Sequence, residues 1–181
     1  MSKVDYLMSY SSPLGVLTVA SDGESITGVW TEEQKYFAAG LPKDAVTEET
    51  LPVFDLARKW LDSYFKGEEP QVIVPLSPQG SDFRQSVWKI LLAIPYGELT
   101  TYGEIAKQIA KQTGKEKMSA QAIGGAVGHN PISILIPCHR VVGTNGSLTG
   151  YAGGLEKKIQ LLQLEKTDMS SLFVPKKGTA L

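Results

Sequence analysis

The spacing of apolar residues changes part-way along the chain, and this change constrains the fold more than any other feature. Between residues 5 and 33, apolar and polar residues alternate in three short runs separated by Ser-Pro, Gly and Asp-Gly. That pattern is typical of antiparallel strands joined by turns. From residue 50 onward, apolar residues recur every three or four positions, as on one face of a helix. The sequence therefore predicts an α+β protein, strand-rich at its N-terminus and mostly helical afterwards.

The helical pattern also suggests where one domain ends and the next begins. A proline-rich, extended stretch separates the first predicted helix from the others, so we place a domain boundary near residue 80. We expect a supporting domain over residues 1–80, a second domain over 81–167, and a flexible tail over 168–181. The predicted helices cover residues 50–67, 81–94, about 102–112, 120–128 and 153–165.

Composition excludes several classes of protein. The chain has 181 residues, of which 42% are hydrophobic and 20% charged. It contains no apolar run long enough to span a bilayer, and no secretory signal pattern at the N-terminus. Cys138 is the only cysteine, which rules out an internal disulfide and a Cys-rich zinc site. We expect a cytoplasmic protein with one reduced thiol and no membrane partner.

Charge is distributed unevenly between the two predicted domains. Residues 1–80 carry six Lys or Arg against twelve Asp or Glu, whereas residues 81–181 carry twelve against seven. A basic half beside an acidic one is compatible with binding a polyanion. Chance segregation of solvated surface charge explains the same numbers, so charge alone leaves both interpretations open.

The basic half contains a candidate helix-turn-helix. Its helices are the predicted segments near 102–112 and 120–128, joined by a Lys-rich loop. The second helix contains Gly124 and Gly125, each of which costs about 1 kcal/mol relative to alanine in a helix interior. Small residues there either allow close packing in the core or let the helix backbone approach a nucleic acid.

A Cys-His pair, Cys138 and His139, lies in the sequence IPCHRVVG. A cysteine thiol is mostly protonated at neutral pH and needs a base or positive charge nearby to become nucleophilic. Adjacent side chains of an extended strand point to opposite faces, so a direct Cys–His bond does not follow. Glu165 is a candidate to orient the imidazole. The pair alone is compatible with a catalytic site or with a buried structural cysteine.

The surroundings of this pair resemble the O6-alkylguanine-DNA alkyltransferases, also called methylated-DNA–protein-cysteine methyltransferases. The family signature Pro-Cys-His-Arg stands at residues 137–140, preceded by GGAVGHNPISIL and followed by GSLTGYAGGLEKKIQLLQLE. The resemblance runs from about residue 83 to Glu165, and the N-terminal part matches only in general style. It implies a ribonuclease-H-like N-terminal domain and an active-site domain containing a helix-turn-helix.

The resemblance implies catalytic roles for four residues. Cys138 would accept the alkyl group, His139 would act as its base through a water, and Glu165 would hold the imidazole in the right tautomer. Tyr102 would help to turn the target nucleotide out of the duplex and would hydrogen-bond the base. The reaction would consume the enzyme in a single turnover, without metal or organic cofactor.

The same resemblance implies a set of binding residues. The carbonyl of Val141 would accept a hydrogen bond from the base. Tyr151 and the N–H of Ala152 would bind the base from a loop that closes over it, and Asn130 would act as a hinge. The helix over 120–128 would enter the minor groove of double-stranded DNA, and the protein would act as a monomer. The implied DNA contacts are Gln121, Ala122, Gly124, Gly125, Arg140, Lys115 and Lys117.

Two positions depart from the family pattern, and the loop over residues 110–119 is longer than the family's usual connection. Gln121 stands where an arginine is usual, and glutamine lacks the charge and planar stacking of guanidinium. This predicts weaker, more salt-tolerant DNA binding unless phosphate contacts from Lys111, Lys115 and Lys117 compensate. Ala152 stands where serine is common. With only His129 and His139 as histidines and no second cysteine, we expect no zinc site.

Three other functions fit parts of the pattern. A non-catalytic relative would bind alkylated DNA without repairing it, but such proteins replace the cysteine that is present here as Cys138. A thiol hydrolase would use Cys138 and His139 and would turn over repeatedly. A simple helix-turn-helix regulator would leave the Cys-His-Glu set unexplained.

Overall fold

The computed structural model describes residues 5–32, 38, 44–151 and 154–175, which divide into two compact units. The first unit extends to Gln79 and also contains Pro131–Ser133, whereas the second begins at Gly80 and contains the remaining described residues. None of the helices in the described part of the chain has the length and apolar character that crossing a membrane requires.

The first unit is built on a four-stranded sheet. As predicted, the three alternating runs form an antiparallel meander, with β1 at Tyr6–Ser12, β2 at Gly15–Ser21 and β3 at Ile26–Thr31. A short strand β4, Val46–Thr47, pairs in parallel with β1, which gives the order β3-β2-β1-β4.

One helix, α1 (Pro52–Phe65), contacts the three long strands of this sheet. Proline stands at its first position, where no intrahelical N–H is needed, and Gly67 follows the helix in the left-handed conformation. The predicted helix is confirmed, and its buried residues lie on one face at the expected spacing. These are Val53, Phe54, Ala57, Leu61 and Tyr64.

The described residues of the second unit contain four α-helices and a two-stranded parallel sheet. The elements are α2 (Asp82–Leu92), β5 (Thr100–Thr101), α3 (Tyr102–Thr113), α4 (Ala120–Gly128), β6 (Val141–Val142) and α5 (Leu155–Leu164). All four predicted helices of this half are therefore present, including the helix pair α3 and α4.

Side-chain caps explain where three of these helices begin. The hydroxyls of Ser81, Thr101 and Ser119 accept hydrogen bonds from the third residue beyond each, at the starts of α2, α3 and α4. The indole N–H of Trp88, which is buried, donates to the carbonyl of Ala126 at 2.9 Å. This bond fixes α2 against α4 and holds the helix pair in place.

The end of the chain differs from the expected flexible tail over 168–181. The N–H of Phe173 donates to the carbonyl of Gly146, and the N–H of Leu148 donates to the carbonyl of Phe173. Met169 and Leu172 pack against a buried cluster of Val142, Leu148 and Leu162. Residues 168–173 are therefore part of the folded unit, because the side chains of Met169 and Leu172 complete this cluster. Residues 176–181 lie outside the described part of the chain.

Candidate active site

Cys138 begins a short 3₁₀ turn, Cys138–Arg140, that leads into β6. The extended strand expected at the Cys-His pair is therefore wrong. Successive side chains on a 3₁₀ turn are about a third of a turn apart instead of on opposite faces, so Cys138 and His139 need not diverge. The cysteine side chain is buried, with 5% of the residue exposed.

Asn130 ties the end of α4 to this turn. Its amide nitrogen donates to the carbonyl of Ile136 at 2.8 Å, and its side chain also hydrogen-bonds the Cys138 thiol. Between them, Ile134 is buried with φ of 73°. A β-branched residue is strained in this region by about 1–3 kcal/mol. The amide of Asn130 therefore holds the segment that leads into the turn of Cys138.

The carboxylate of Glu165, just past the end of α5, is the centre of a buried network. Its Oε2 lies 2.5 Å from Nε2 of His139, and its Oε1 accepts from Nε of Arg140 at 2.8 Å and from the N–H of Gly97 at 3.1 Å. Burial by itself would raise the pKa of Glu165, but the hydrogen bonds and charges of His139 and Arg140 outweigh it and lower the pKa to about 2. Glu165 is therefore a carboxylate at neutral pH.

An ionised Glu165 determines the state of His139. The imidazole is fully buried, and burial lowers its pKa more than the hydrogen bond and charge of Glu165 raise it. His139 is therefore neutral at pH 7. Because a carboxylate can only accept, the ring proton lies on Nε2 and Nδ1 is the basic nitrogen. The pair thus presents a neutral base of defined tautomer on the residue after Cys138.

The state of the thiol is set by opposing effects. Burial raises the pKa of Cys138, whereas the hydrogen bond from Asn130 and the positive charge of Lys158 lower it. Burial is the largest of these effects, so the thiol is protonated in the unliganded protein. Forming the thiolate requires a base, which the neutral imidazole of His139 can supply.

Lys158 is a functional residue that the sequence analysis missed. It is fully buried, and its ammonium group donates to the carbonyls of Val141 at 2.5 Å and Thr149 at 2.6 Å. Burial lowers its pKa to about 8. Lys158 therefore holds a positive charge near the thiol at neutral pH. Its burial could have been predicted from its position on the apolar face of α5, beside Leu155, Ile159 and Leu162.

Tyr102 and Tyr151 approach the same region from α3 and from the loop before α5. The hydroxyl of Tyr102 donates to the carbonyls of Thr149 and Gly150, each at 3.4 Å. Burial raises its pKa, as does the charge of Cys138, so the phenol keeps its proton. The ring of Tyr151 stands edge-on to that of His139, with centroids 6.5 Å apart.

Two predicted base-binding residues remain, Val141 and Ala152. The carbonyl of Val141, expected to accept from a base, already accepts from Lys158. Since a carbonyl oxygen has two lone pairs, a second donor can still bind. Ala152 lies outside the described residues.

The exposed side of the helix pair carries most of the expected DNA contacts. Gln121, Ala122 and Gly125 are exposed on α4, and an added Cβ at Gly125 would meet no atom within 4 Å. Lys115 and Lys117 are exposed in the loop before it. Gly124, in contrast, is buried. Its assignment as a DNA contact is wrong, because it faces the core, where a small residue allows close packing.

The assignment of Arg140 to DNA binding is also wrong. Only 7% of the residue is exposed. Besides Glu165, its guanidinium donates to the carbonyl of Ile94 at 2.8 Å and lies 5.6 Å from the centre of the Tyr96 ring. Arg140 therefore points into the folded unit and holds Glu165 and the segment just after α2.

Fold and site together define a protein with a strand-rich first unit and a helical second unit whose buried thiol adjoins an oriented imidazole. Residues 6–78 match the family model described as 6-O-methylguanine DNA methyltransferase, ribonuclease-like domain. Residues 82–167 match the model for the DNA binding domain of the same methyltransferase.

Individual relatives agree with these models. The methylated-DNA–protein-cysteine methyltransferase of Haemophilus influenzae is 49% identical over 162 residues, covering 89% of this chain and 86% of the relative. That of Mycobacterium tuberculosis is 46% identical over 156 residues, covering 86% and 89%. The crystal structure of M. tuberculosis OGT in complex with DNA aligns with a TM-score of 0.76 and 42% identity, covering 93% of this chain and 99% of that one. The chain belongs to the 6-O-methylguanine DNA methyltransferase family.

The Glu165 network generates a prediction about stability and pH. Glu165→Gln leaves Arg140 buried without its charged partner, so the free energy of unfolding at pH 7 should fall by about 3 kcal/mol. The wild-type contribution is complete above about pH 4.5 and is lost as the pH falls towards 2, because the folded-state pKa is the lower one. The difference between the two proteins in urea denaturation should therefore shrink as the pH is lowered.

A matched control for this experiment is Glu116→Gln, which makes the same change at an exposed carboxylate. It should alter the free energy of unfolding by less than about 0.5 kcal/mol. A Glu165→Gln protein whose deficit stays constant from pH 7 to acid would contradict the depressed pKa of Glu165.

Lys158 generates a second prediction. In Lys158→Met the charge that favours the thiolate is lost, so the pKa of Cys138 should rise. Titration of the ultraviolet absorbance of the thiolate measures this directly, since the chain has a single cysteine. Lys157→Met, the same change one residue earlier, should leave the titration unaltered. An unchanged pKa in Lys158→Met would show that the lysine does not act on the thiol.

Proposed function

We propose that this protein repairs DNA by moving the alkyl group of O6-alkylguanine in a duplex onto Cys138, in a stoichiometric and irreversible reaction. The observation that carries this proposal is the buried thiol of Cys138 in a turn shared with His139, whose imidazole Glu165 fixes at 2.5 Å. Family membership supports it, as does the methyltransferase activity for which the relatives are named.

The first step is activation of the thiol. Nδ1 of His139 takes the thiol proton through a water, and the carboxylate of Glu165 stabilises the imidazolium that forms. The ammonium group of Lys158 stabilises the thiolate left behind. A charge separation inside the protein is favourable only where such partners are already in place.

The second step is an in-line displacement. The thiolate sulfur attacks the alkyl carbon, a C–S bond forms, and the bond between that carbon and guanine O6 breaks with its electron pair passing to the base. The phenol of Tyr102, which keeps its proton, hydrogen-bonds the base as this charge develops. Guanine then regains the proton that the cysteine lost. The thioether has no good leaving group, so each molecule acts once.

The target base must leave the stack for this chemistry to occur, because its O6 substituent is enclosed in the duplex. The flipped base is held by the carbonyls of Val141 and Cys138 and by the loop of Tyr151 and Ala152. Asn130 links the helix that reads the DNA to the turn that carries the thiol.

The exposed face of α4 enters the minor groove, with Gln121, Ala122 and Gly125 against the DNA. The open space around Gly125 lets the helix backbone come close to the groove, and Gln121 fills the gap left by the extruded nucleotide. The protein acts as a monomer in the cytoplasm, a reducing compartment that keeps the single thiol available. That M. tuberculosis OGT was solved in complex with DNA supports DNA as the binding partner.

A non-catalytic protein that only binds alkylated DNA is the alternative. It shares the helix pair and the exposed face of α4, but it has no use for an acceptor thiol served by a base. The presence of Cys138, His139 and Glu165 in one buried network favours transfer.

Incubation with a duplex that carries O6-[methyl-labelled]guanine tests the proposal. One label per protein molecule should appear on Cys138, located by peptide mass spectrometry, and Cys138→Ala should bind the duplex without acquiring label. Repeated turnover would indicate a hydrolase. Binding without label by the wild type would indicate the non-catalytic alternative.

The Lys-rich loop generates a separate prediction. Changing Lys115 and Lys117 to Ala removes two exposed charges that can contact phosphates, so the slope of log affinity against log salt should become shallower by about 1 to 2. Affinity for an unmodified duplex, measured by fluorescence anisotropy across a salt series, gives this slope. Changing the exposed Lys59 on α1 of the first unit to Ala is the control. An unchanged slope in the double variant would show that this loop does not contact DNA.

A further inference from the structure

Residues 168–173, here called the C-terminal strap, are joined to the loop that precedes α5. The strap runs beside residues 146–148, and two backbone hydrogen bonds connect them: Phe173 N–H to the carbonyl of Gly146 at 3.1 Å, and Leu148 N–H to the carbonyl of Phe173 at 2.8 Å. The two bonds form a single parallel bridge between Ser147 and Phe173, which fixes the register of the two segments at that point.

The contact at Gly146 leaves no space for a side chain. Its φ is +91°, and an added Cβ would lie 2.3 Å from the carbonyl oxygen of Ser171. The strap backbone therefore passes directly over this glycine. The fit is specific to a residue without a Cβ in a conformation that other residues rarely adopt.

Apolar packing holds the strap from its other side. Leu172 and Met169 pack against the buried cluster of Val142, Leu148 and Leu162. This cluster joins β6, the loop before α5, and α5 itself. The strap therefore packs against a cluster that three elements close to the acceptor site share, without contributing a residue to the site.

Leu148 connects the strap to the residues that receive the base. The next residue, Thr149, offers its carbonyl to Lys158 at 2.6 Å and to Tyr102 at 3.4 Å, and Tyr151 follows two positions later. Only one peptide unit separates the strap's hydrogen bond at Leu148 from this carbonyl. A shift of Leu148 would therefore move the carbonyl that Lys158 and Tyr102 share.

We propose that the C-terminal strap is a positioning element for alkyl transfer: it fixes Gly146 and Leu148, and thereby the loop of Thr149 and Tyr151 that receives the flipped base. This inference rests on the proposed function. Loss of the strap should slow the transfer step itself, because misplacing a substrate-binding group by about 1 Å can cost on the order of a hundredfold in rate. Binding of undamaged DNA, which uses α4 and the Lys-rich loop, does not depend on it.

Phe173→Pro tests this proposal, because proline removes the N–H that donates to Gly146 while leaving the chain length unchanged. Single-turnover transfer from an O6-methylguanine duplex is measured over a range of protein concentrations. The maximal rate should fall about tenfold, with little change in the half-saturating concentration or in affinity for unmodified duplex. Val174→Pro, the same change at an exposed residue just beyond the strap, should transfer at the wild-type rate.

The possible outcomes distinguish a strap that positions the base-binding loop from one that only stabilises the fold. Wild-type transfer by Phe173→Pro, at a temperature where both proteins are folded, would overturn the proposal. An equal loss of duplex affinity would overturn it too, because it would indicate general destabilisation. If Phe173→Pro does not fold, Gly146→Ala and Leu172→Ala should each slow transfer, and wild-type rates in both would overturn the proposal. Absence of transfer by the wild type would instead refute the proposed function.

Discussion

The carboxylate of Glu165 is the interaction on which the rest of the acceptor site depends. It receives hydrogen bonds from the imidazole and the guanidinium of two consecutive residues, and from a backbone N–H in the segment between α2 and β5. Removing charged groups from water is costly unless each is paired. Losing one of these contacts therefore leaves the other buried groups without a partner and destabilises them. One side chain thereby sets the relative positions of α5, the 3₁₀ turn and the segment between α2 and β5, and defines the tautomer of the base.

Much of the fold and the centre of the site could be predicted from the sequence, because the signals were local. The alternation before residue 33 and the helical spacing after residue 50 each depend on neighbours a few positions away. The Pro-Cys-His-Arg signature likewise sits in one short stretch, and the distant Glu165 followed from the resemblance. Where the residues that determine an element lie within about a dozen positions of one another, its type and place could be predicted from the sequence.

The errors arose where tertiary contacts decide the outcome. A lysine on a helix is ordinarily solvated, and only the two carbonyls that surround the ammonium of Lys158 explain its burial. An arginine beside a DNA-repair signature suggests a phosphate contact, but Arg140 pairs with a carboxylate that is 25 residues away in sequence. The strap was expected to belong to a flexible tail, but the apolar partners of Met169 and Leu172 lie on β6, on α5 and in the loop before α5. No window of sequence contains these pairs.

The assignment of Pro131–Ser133 to the first unit has a consequence for how the protein can be made or divided. These residues exchange backbone hydrogen bonds with Val29 on β3, whereas Asn130 before them and Ile134 after them belong to the second unit. A cut at residue 80 would give one fragment with an uncovered strand edge and another carrying the three residues that cover it. During synthesis, the first unit cannot be completed until residue 133 has been made, and residues 80–130 of the second unit are made before that point.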